Sequence, residues 1–301
     1  SQILAENLIK WGHPEVVVTN NDPADFTDLT HLFDVILTDV PCSGEGMFRK
    51  DQVAVDEWSL ENVDICWKRQ RRILADIWPA LKPGGILIYS TCTFNREEDE
   101  DNVAWIAKEL GADVLSVPVE DSWGITGNLT GKDFPVYRFL PHKTKGEGFF
   151  LGVLKKRADV LDETPRRFLK TSARLDKKKK GKDAKQPLVV PKEAKTWLED
   201  SSEYALAMKD TNVVAFPKAY ENEYALLQQT LKVIHAGITL GEIKGKDLIP
   251  HHSLAMSTAL AKEAFPRAEV NYEQAISYLR KEGLILDADV PRGYVLLTYK
   301  D

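Results

Sequence analysis

Cysteine is scarce in this 301-residue chain: Cys42, Cys66 and Cys92 are an odd number, with no CxxC pair and no histidine pair at metal-ligand spacing. That excludes a disulfide framework and a thiolate metal cluster, and reduced thiols are the expectation. Long apolar runs are missing too. No stretch of about 18 apolar residues exists to span a bilayer, and Ser1 to Gly12 has neither the basic start nor the apolar middle of a signal peptide. A cytoplasmic protein with no membrane and no metal is expected. Nor is there an excess of positive charge: the net charge is -6, which argues against a chain that coats nucleic acid everywhere. No internal repeat is visible.

What is present is 43% hydrophobic and 29% charged residues, the mix of a soluble globular protein, in a length that suits roughly two domains. The charge is uneven. From Arg166 to Lys192 eleven Lys and Arg stand against two Asp, a local +9 that leaves -15 on the remainder, so any polyanion contact is local. Lys177 to Lys180 and Lys182 sit there among Gly, Asp and Gln without apolar periodicity. They describe a solvated linker, with or without contacts to phosphates.

Two stretches organise the chain, Phe33 to Lys50 (FDVILTDVPCSGEGMFRK) and Lys82 to Glu98 (KPGGILIYSTCTFNREE). Cys42 and Cys92 each follow an apolar, strand-like run, Val35 to Leu37 and Ile86 to Tyr89. In an open parallel α/β sheet the carboxyl ends of neighbouring strands share one ligand-binding crevice, so the two thiols are expected to meet in it. Phe33 to Asp39 is nearly continuous in apolar residues, as a parallel strand buried on both faces should be. Val40 to Gly46 is a loop whose proline and glycines fix an unusual path, and it runs into the cations Arg49 and Lys50.

Around these stretches, Ser1 to Gly12 reads as an amphipathic helix with Ile3, Leu4, Leu8 and Trp11 on one side, and Glu15 to Thr19 as a short strand. It ends in Asn20-Asn21-Asp22-Pro23, where Asp22 is either turn chemistry or a carboxylate for a ligand hydroxyl or amine. Trp58 to Leu81 is helix-like and ends at Pro83-Gly84-Gly85, with Cys66 inside it as a small buried hydrophobe. The acids from Arg96 to Asp101 open the next helix and are expected to be mostly cap and solvent face. Asp113 to Val117 and Phe149 to Leu154 are strand candidates, the second entered from Arg138 by a hairpin that could complete the sheet antiparallel at one edge, and His142 is structural or a phosphate contact. After the linker come a helix around Tyr224, Leu227 and Leu231, strands over Lys232 to Ile238 and Thr239 to Ile243, a helix through Tyr272 to Leu279, and a last strand at Gly293 to Tyr299.

Paired thiols with a carboxylate suit methylation of a pyrimidine. Cytosine C5 is a poor nucleophile; attack by a thiolate at C6 makes an enamine whose C5 takes a methyl from a sulfonium donor, after which a base removes the C5 proton and the thiolate leaves. That needs an acidified thiol, a group on the pyrimidine edge and a proton acceptor, which Cys92, Asp39 and Cys42 can supply.

TDVPCSGEGMFRKD at Thr38 to Asp51 and YSTCTFNREEDE at Tyr89 to Glu100 resemble the fourth and sixth motifs of the NOL1/NOP2/Sun family of RNA 5-cytosine methyltransferases. The likeness continues through NLIKWG at Asn7 to Gly12 and PHKTKGEGFF at Pro141 to Phe150. More loosely, the C-terminal part is similar to the PUA-like tail of the bacterial branch that modifies 16S ribosomal RNA. The resemblance implies S-adenosylmethionine as methyl donor, Cys92 as nucleophile, Cys42 assisting product release, Asp39 touching cofactor and cytosine, and Asp22 and Pro41 on the cofactor side. It implies ribosomal RNA or a small-subunit assembly intermediate as partner.

The fold expected is α/β. A Rossmann-like methyltransferase domain over 1–157, lacking its first strands, precedes a Lys-rich linker over 158–191 and a smaller α+β, PUA-like RNA-binding region over 192–301, incomplete at its end. The family's glycine loop and the acid after its second strand have no counterpart, so a longer chain or a companion segment is expected to supply them. The rival from another class is a catalytically silent RNA-binding or ribosome-assembly factor.

Overall fold

The computed structural model describes residues 2–158 and 189–300, which group into two compact units, 21–158 and 2–20 with 189–300. The lysines at 177–180 and most of the expected linker lie outside the described residues.

Helix α1 (Gln2–Trp11) stops at Gly12, whose φ of 78° and whose close approach to the Met256 carbonyl leave no room for a Cβ. Ile3, Leu4 and Trp11 of its expected apolar side are exposed, and only Ala5 is buried. Strand β1 (Val17–Thr19) follows.

In unit 21–158, β2 (Phe33–Asp39) leads through α2 (Gln52–Glu57) and α3 (Leu60–Ile77) to β3 (Leu81–Thr91). Then come α4 (Glu100–Glu109), β4 (Ala112–Val114), β5 (Tyr137–Phe139) and β6 (Phe149–Lys156). The sheet order is β2-β3-β6-β4, with β5 also on β6. β2 and β3 run parallel with Asp39 opposite Ser90, so the segments carrying Cys42 and Cys92 leave the sheet side by side. Leu74 of α3 and Val103 and Ile106 of α4 pack with Leu87, Tyr89, Phe150 and Leu154 of the sheet. Each such aliphatic side chain contributes about 1.5–3 kcal/mol by leaving water.

Of three expectations, two need correction and one holds. α3 is shorter than Trp58 to Leu81: Ser59 caps its start by accepting from the Asn62 N–H, and Pro79, which has no N–H to give, turns the chain out, so Pro83-Gly84-Gly85 falls within the bounds of β3. The expected hairpin is there: β5 pairs antiparallel with β6, which lies antiparallel to β3 and carries β4 alongside β5 on its other side. β2 is not buried on both faces. Among the described residues it pairs with β3 alone, and Val35 and Leu37 are 54% and 65% exposed.

The second unit contains β7 (Tyr204–Lys209), β8 (Asn212–Pro217), α5 (Glu221–Thr230), β9 (Val233–Ala236), β10 (Ile238–Lys244), β11 (Asp247–Pro250) and α6 (His252–Ala255), followed by β12 (Arg267–Glu269), α7 (Tyr272–Leu279) and β13 (Leu296–Thr298). Strands β11-β10-β8-β7 form an antiparallel sheet over Trp197, Val213, Ala215, Leu240 and Leu254. β12 and β13 pair in parallel. β1 pairs antiparallel with β9, Val17 opposite Ala236, which places residues 2–20 in this unit although they precede the other in sequence.

Candidate active site

Beyond Asp39 the chain stays in the core for one residue, Val40, and then leaves it at Pro41. Gly44, at φ 80°, turns it into the short 3-10 turn Glu45–Met47. There the Gly46 N–H donates to the Cys92 carbonyl at 2.8 Å, and a Cβ on Gly46 would lie 2.6 Å from that oxygen. This close crossing of two loops brings the half-buried sulfurs of Cys42 and Cys92 to 2.9 Å, both cysteines being free.

Their proximity splits the two thiols. The hydrogen bond from Cys42 holds the Cys92 pKa down to about 7, against desolvation and the negative charges of Asp39 and Glu98, which push it up. Cys42, donating to its neighbour and desolvated, is raised. As pH rises through about 7 the pair therefore ionises first at Cys92, with Cys42 remaining the thiol.

Two carboxylates cross between the loops. Glu45 accepts from the Phe94 N–H at 2.7 Å and from Trp58 Nε1 at 3.0 Å. Glu98 accepts from the Ser43 N–H at 3.1 Å, from Gln70 Nε2 at 2.6 Å and from Asn95 Nδ2 at 2.8 Å. Beside them the Thr91 hydroxyl donates to Asp99 Oδ1 at 2.7 Å, and Arg138 forms a two-pronged pair with Glu100. Arg138 Nη1 also lies 3.1 Å from Asp99 Oδ2, a charge contact without hydrogen-bond alignment. Desolvation pushes the Asp99 carboxyl well above the usual carboxylate range, although the guanidinium opposes it.

These acids overturn the expectation of a solvated cap. Glu98, Asp99 and Glu100 are each 0% exposed. Spacing alone gave no sign of it, because the cation that meets Asp99 and Glu100, Arg138, comes from β5 nearly forty residues on, and Glu98 is held by Ser43, Gln70 and Asn95. Gln70 was missed as well: it sits on the buried stripe of α3 with Val63, Cys66 and Leu74, where a period-based reading counts only apolar positions.

Asp39 is exposed at the end of β2, and among the described residues no group donates to its carboxylate, so it is open to a ligand amine or a base edge. Asp22 caps the turn Pro23–Phe26 by accepting from the Ala24 N–H, which lowers its pKa, and has Arg72 at 3.5 Å; its Oδ1 is engaged and it stands apart from the cysteines in the contacts it makes. Pro41 presents an exposed ring while its carbonyl accepts from Gln70. Arg49 reaches the carbonyls of Pro141 and Gly146, Lys50 and His142 are exposed, and Cys66 is buried beside Asn62. Among the described residues no group of three or more His, Cys, Asp or Glu is placed to hold a metal ion.

A sheet whose parallel strand ends deliver two apposed thiols beside an open carboxylate, on the α/β architecture described above, places the chain in the class of α/β methyltransferases. Within that class, the family described as 16S rRNA methyltransferase RsmB/F matches residues 1–155, and the chain belongs to that family. It is 31% identical over 302 residues to ribosomal RNA small subunit methyltransferase F of Klebsiella pneumoniae, covering 99% of this chain and 61% of the relative. The Vibrio cholerae protein of the same name is 28% identical, with the same two coverages. The chain thus spans about three fifths of the length of the curated relatives it matches. A crystal structure of NSun6 from Pyrococcus horikoshii is 30% identical over 46% of this chain and 33% of that one, at a TM-score of 0.39.

Proposed function

We propose that this chain carries the catalytic cysteines of an RNA (cytosine-C5)-methyltransferase acting on small-subunit ribosomal RNA, with S-adenosylmethionine as methyl donor. The observation that carries the reading is the sulfur pair, 2.9 Å apart with one thiol acidified, within a chain of the RsmB/F family. Cys92 adds as thiolate to cytosine C6, and Asp39, undonated and at the strand end, takes the N3 and N4 edge. S-adenosylmethionine supplies the methyl group to the C5 so activated. Asp39 and the ring of Pro41 fit a place beside that donor; Asp22, half committed to its turn, fits as a more distant contact.

Release follows from the thiol pair. What holds the Cys42 pKa up is chiefly its bond to Cys92; once Cys92 is a thioether that cause is gone, and Cys42 can lose its proton to water. The Cys42 thiolate then takes the C5 proton, the C6–S bond breaks, and the pair returns to thiol and thiolate. One proton has gone to solvent, as the overall transfer from a sulfonium requires.

The match over 1–155 supports counting 1–157 as the methyltransferase domain in sequence, followed by a linker over 158–191 and a PUA-like RNA-binding region over 192–301 with its small antiparallel sheet. A companion segment, if one supplies the missing strands, would cover the exposed Val35 and Leu37 of β2. Among the described residues no helix is long and apolar enough to cross a membrane; the cytoplasmic location proposed rests on the ribosomal RNA substrate alone. The test is trapping. With methyl donor and a small-subunit RNA, Cys42→Ala should accumulate a covalent protein–RNA adduct and Cys92→Ala none. The reverse pattern swaps the two roles. RNA binding without adduct or methylation in any form of the protein moves the reading to a catalytically silent RNA-binding factor.

A further inference from the structure

Cys42 is held by its neighbours in the chain, and neither holder belongs to its own loop. On one side the Pro41 carbonyl accepts from Gln70 Nε2 at 3.0 Å. On the other the Ser43 N–H donates to the Glu98 carboxylate at 3.1 Å. The two holders are joined, Gln70 Nε2 to Glu98 at 2.6 Å. Gln70 Oε1 in turn accepts from Asn102 Nδ2 at 2.7 Å, and the Tyr89 hydroxyl donates to the Glu98 carbonyl at 2.6 Å. Gln70, Tyr89, Glu98 and Asn102 are all 0% exposed. Both N–H donors and the acceptor of the Gln70 amide are thus used, which leaves it a single orientation.

A polar hub of this kind is not the cheapest way to fill a core. Apolar side chains of the same volume are often as stabilising as buried polar networks, so this one calls for a reason of position. The reason is on the page: the peptide groups just before and just after Cys42 are the ones tied down. We infer that Gln70 and Glu98 are positioning residues that bracket Cys42 from both sides and thereby fix its sulfur against that of Cys92. Neither side chain hydrogen-bonds a sulfur; they act through the loop backbone.

Gln70→Met tests this, since it keeps length and approximate volume but has no N–H to give the Pro41 carbonyl. The readout is the pH profile of Cys92 alkylation by iodoacetamide, followed by peptide mass. The charged and titratable groups acting on Cys92, namely Asp39, Glu98 and Cys42, are all retained in this variant. With Cys42 no longer held in place, the Cys92 midpoint should climb from about 7 toward that of an ordinary thiol, near 8.5, with roughly tenfold slower alkylation at pH 7. Gln70→Asn, too short to reach both partners, should shift it in the same direction. Leu74→Ala, one turn along the same helix and fully buried, loosens the core without touching the bracket and should leave the midpoint where it was.

An unchanged midpoint in folded Gln70→Met or Gln70→Asn overturns the inference, as does an equal shift in Leu74→Ala at matched loss of thermal stability. The alkylation assay needs neither RNA nor methyl donor, so it stands or falls apart from the proposed activity. A second consequence does rest on that activity: in Gln70→Met the covalent RNA adduct should form and persist several-fold longer than in wild type. Adduct turnover at the wild-type rate would mean that the bracket does not serve release.

Discussion

Among single residues, the buried acids divide by what each is asked to carry. Asp99 and Glu100 share one guanidinium, that of Arg138, but only Glu100 meets it with both oxygens. Desolvation raises the Asp99 carboxyl, so an amide there removes less charge than one at Glu100. Asp99→Asn should therefore cost under about 1 kcal/mol in denaturant unfolding, whereas Glu100→Gln, leaving a buried guanidinium poorly paired, should cost about 3–5 kcal/mol. The sign with pH follows. Asp99 keeps its proton in the fold where the unfolded chain loses it near pH 4, so its contribution is complete below about pH 4 and shrinks as pH rises toward the folded value. The stability of Asp99→Asn should change less than that of wild type between about pH 4 and 7. For the thiols the pH dependence runs the other way, because the reactive species is the anion. Adduct formation should rise as pH increases through about 7, the Cys92 value, and Cys42→Ala should move that limb upward because the donor to Cys92 is gone.

At the scale of elements, the two loops work because a glycine lets them touch. Gly46→Ala would put a methyl 2.6 Å from the Cys92 carbonyl, an atom fixed by the end of β3, so the loop from Pro41 must retreat. A destabilisation of about 1–3 kcal/mol is expected, with a loss of adduct formation well beyond what the melt alone explains. The loops themselves were legible in the sequence: Pro-Cys and Thr-Cys each follow an apolar run, and β2 was read at its true bounds, Phe33–Asp39. What supports them was not. Gln70 hides on a helix stripe, and Glu98 and Arg138 look like solvated charges until long-range pairing buries them. In the smaller unit β7, β8 and β11 went unread, although 205–208 and 213–216 are apolar runs of four; runs that short do not by themselves tell a buried strand from a piece of buried helix, and only their mutual pairing decides it.

For the whole molecule, the piece of chain whose place is least obvious from sequence is β1. Its β-branched residues suit any sheet edge, and local pattern does not choose a partner. In the structure Val18 is buried, Val17 faces Ala236, the Asn20 N–H donates to the Lys232 carbonyl and the Gly237 N–H to the Val16 carbonyl. β1 and β9 thus form a two-stranded ribbon, an arrangement that is marginal without further packing and therefore sensitive to loss of either strand. Hydrogen exchange should find the amides of Val17–Thr19 and Val233–Ala236 opening together, separately from those of β3 and β6. Deleting residues 2–20 should strip protection from β9 while leaving the Ile86 to Thr91 amides as slow as before. The opposite result, exchange quickened at β3 and untouched at β9, would assign β1 to the sheet that carries the cysteines.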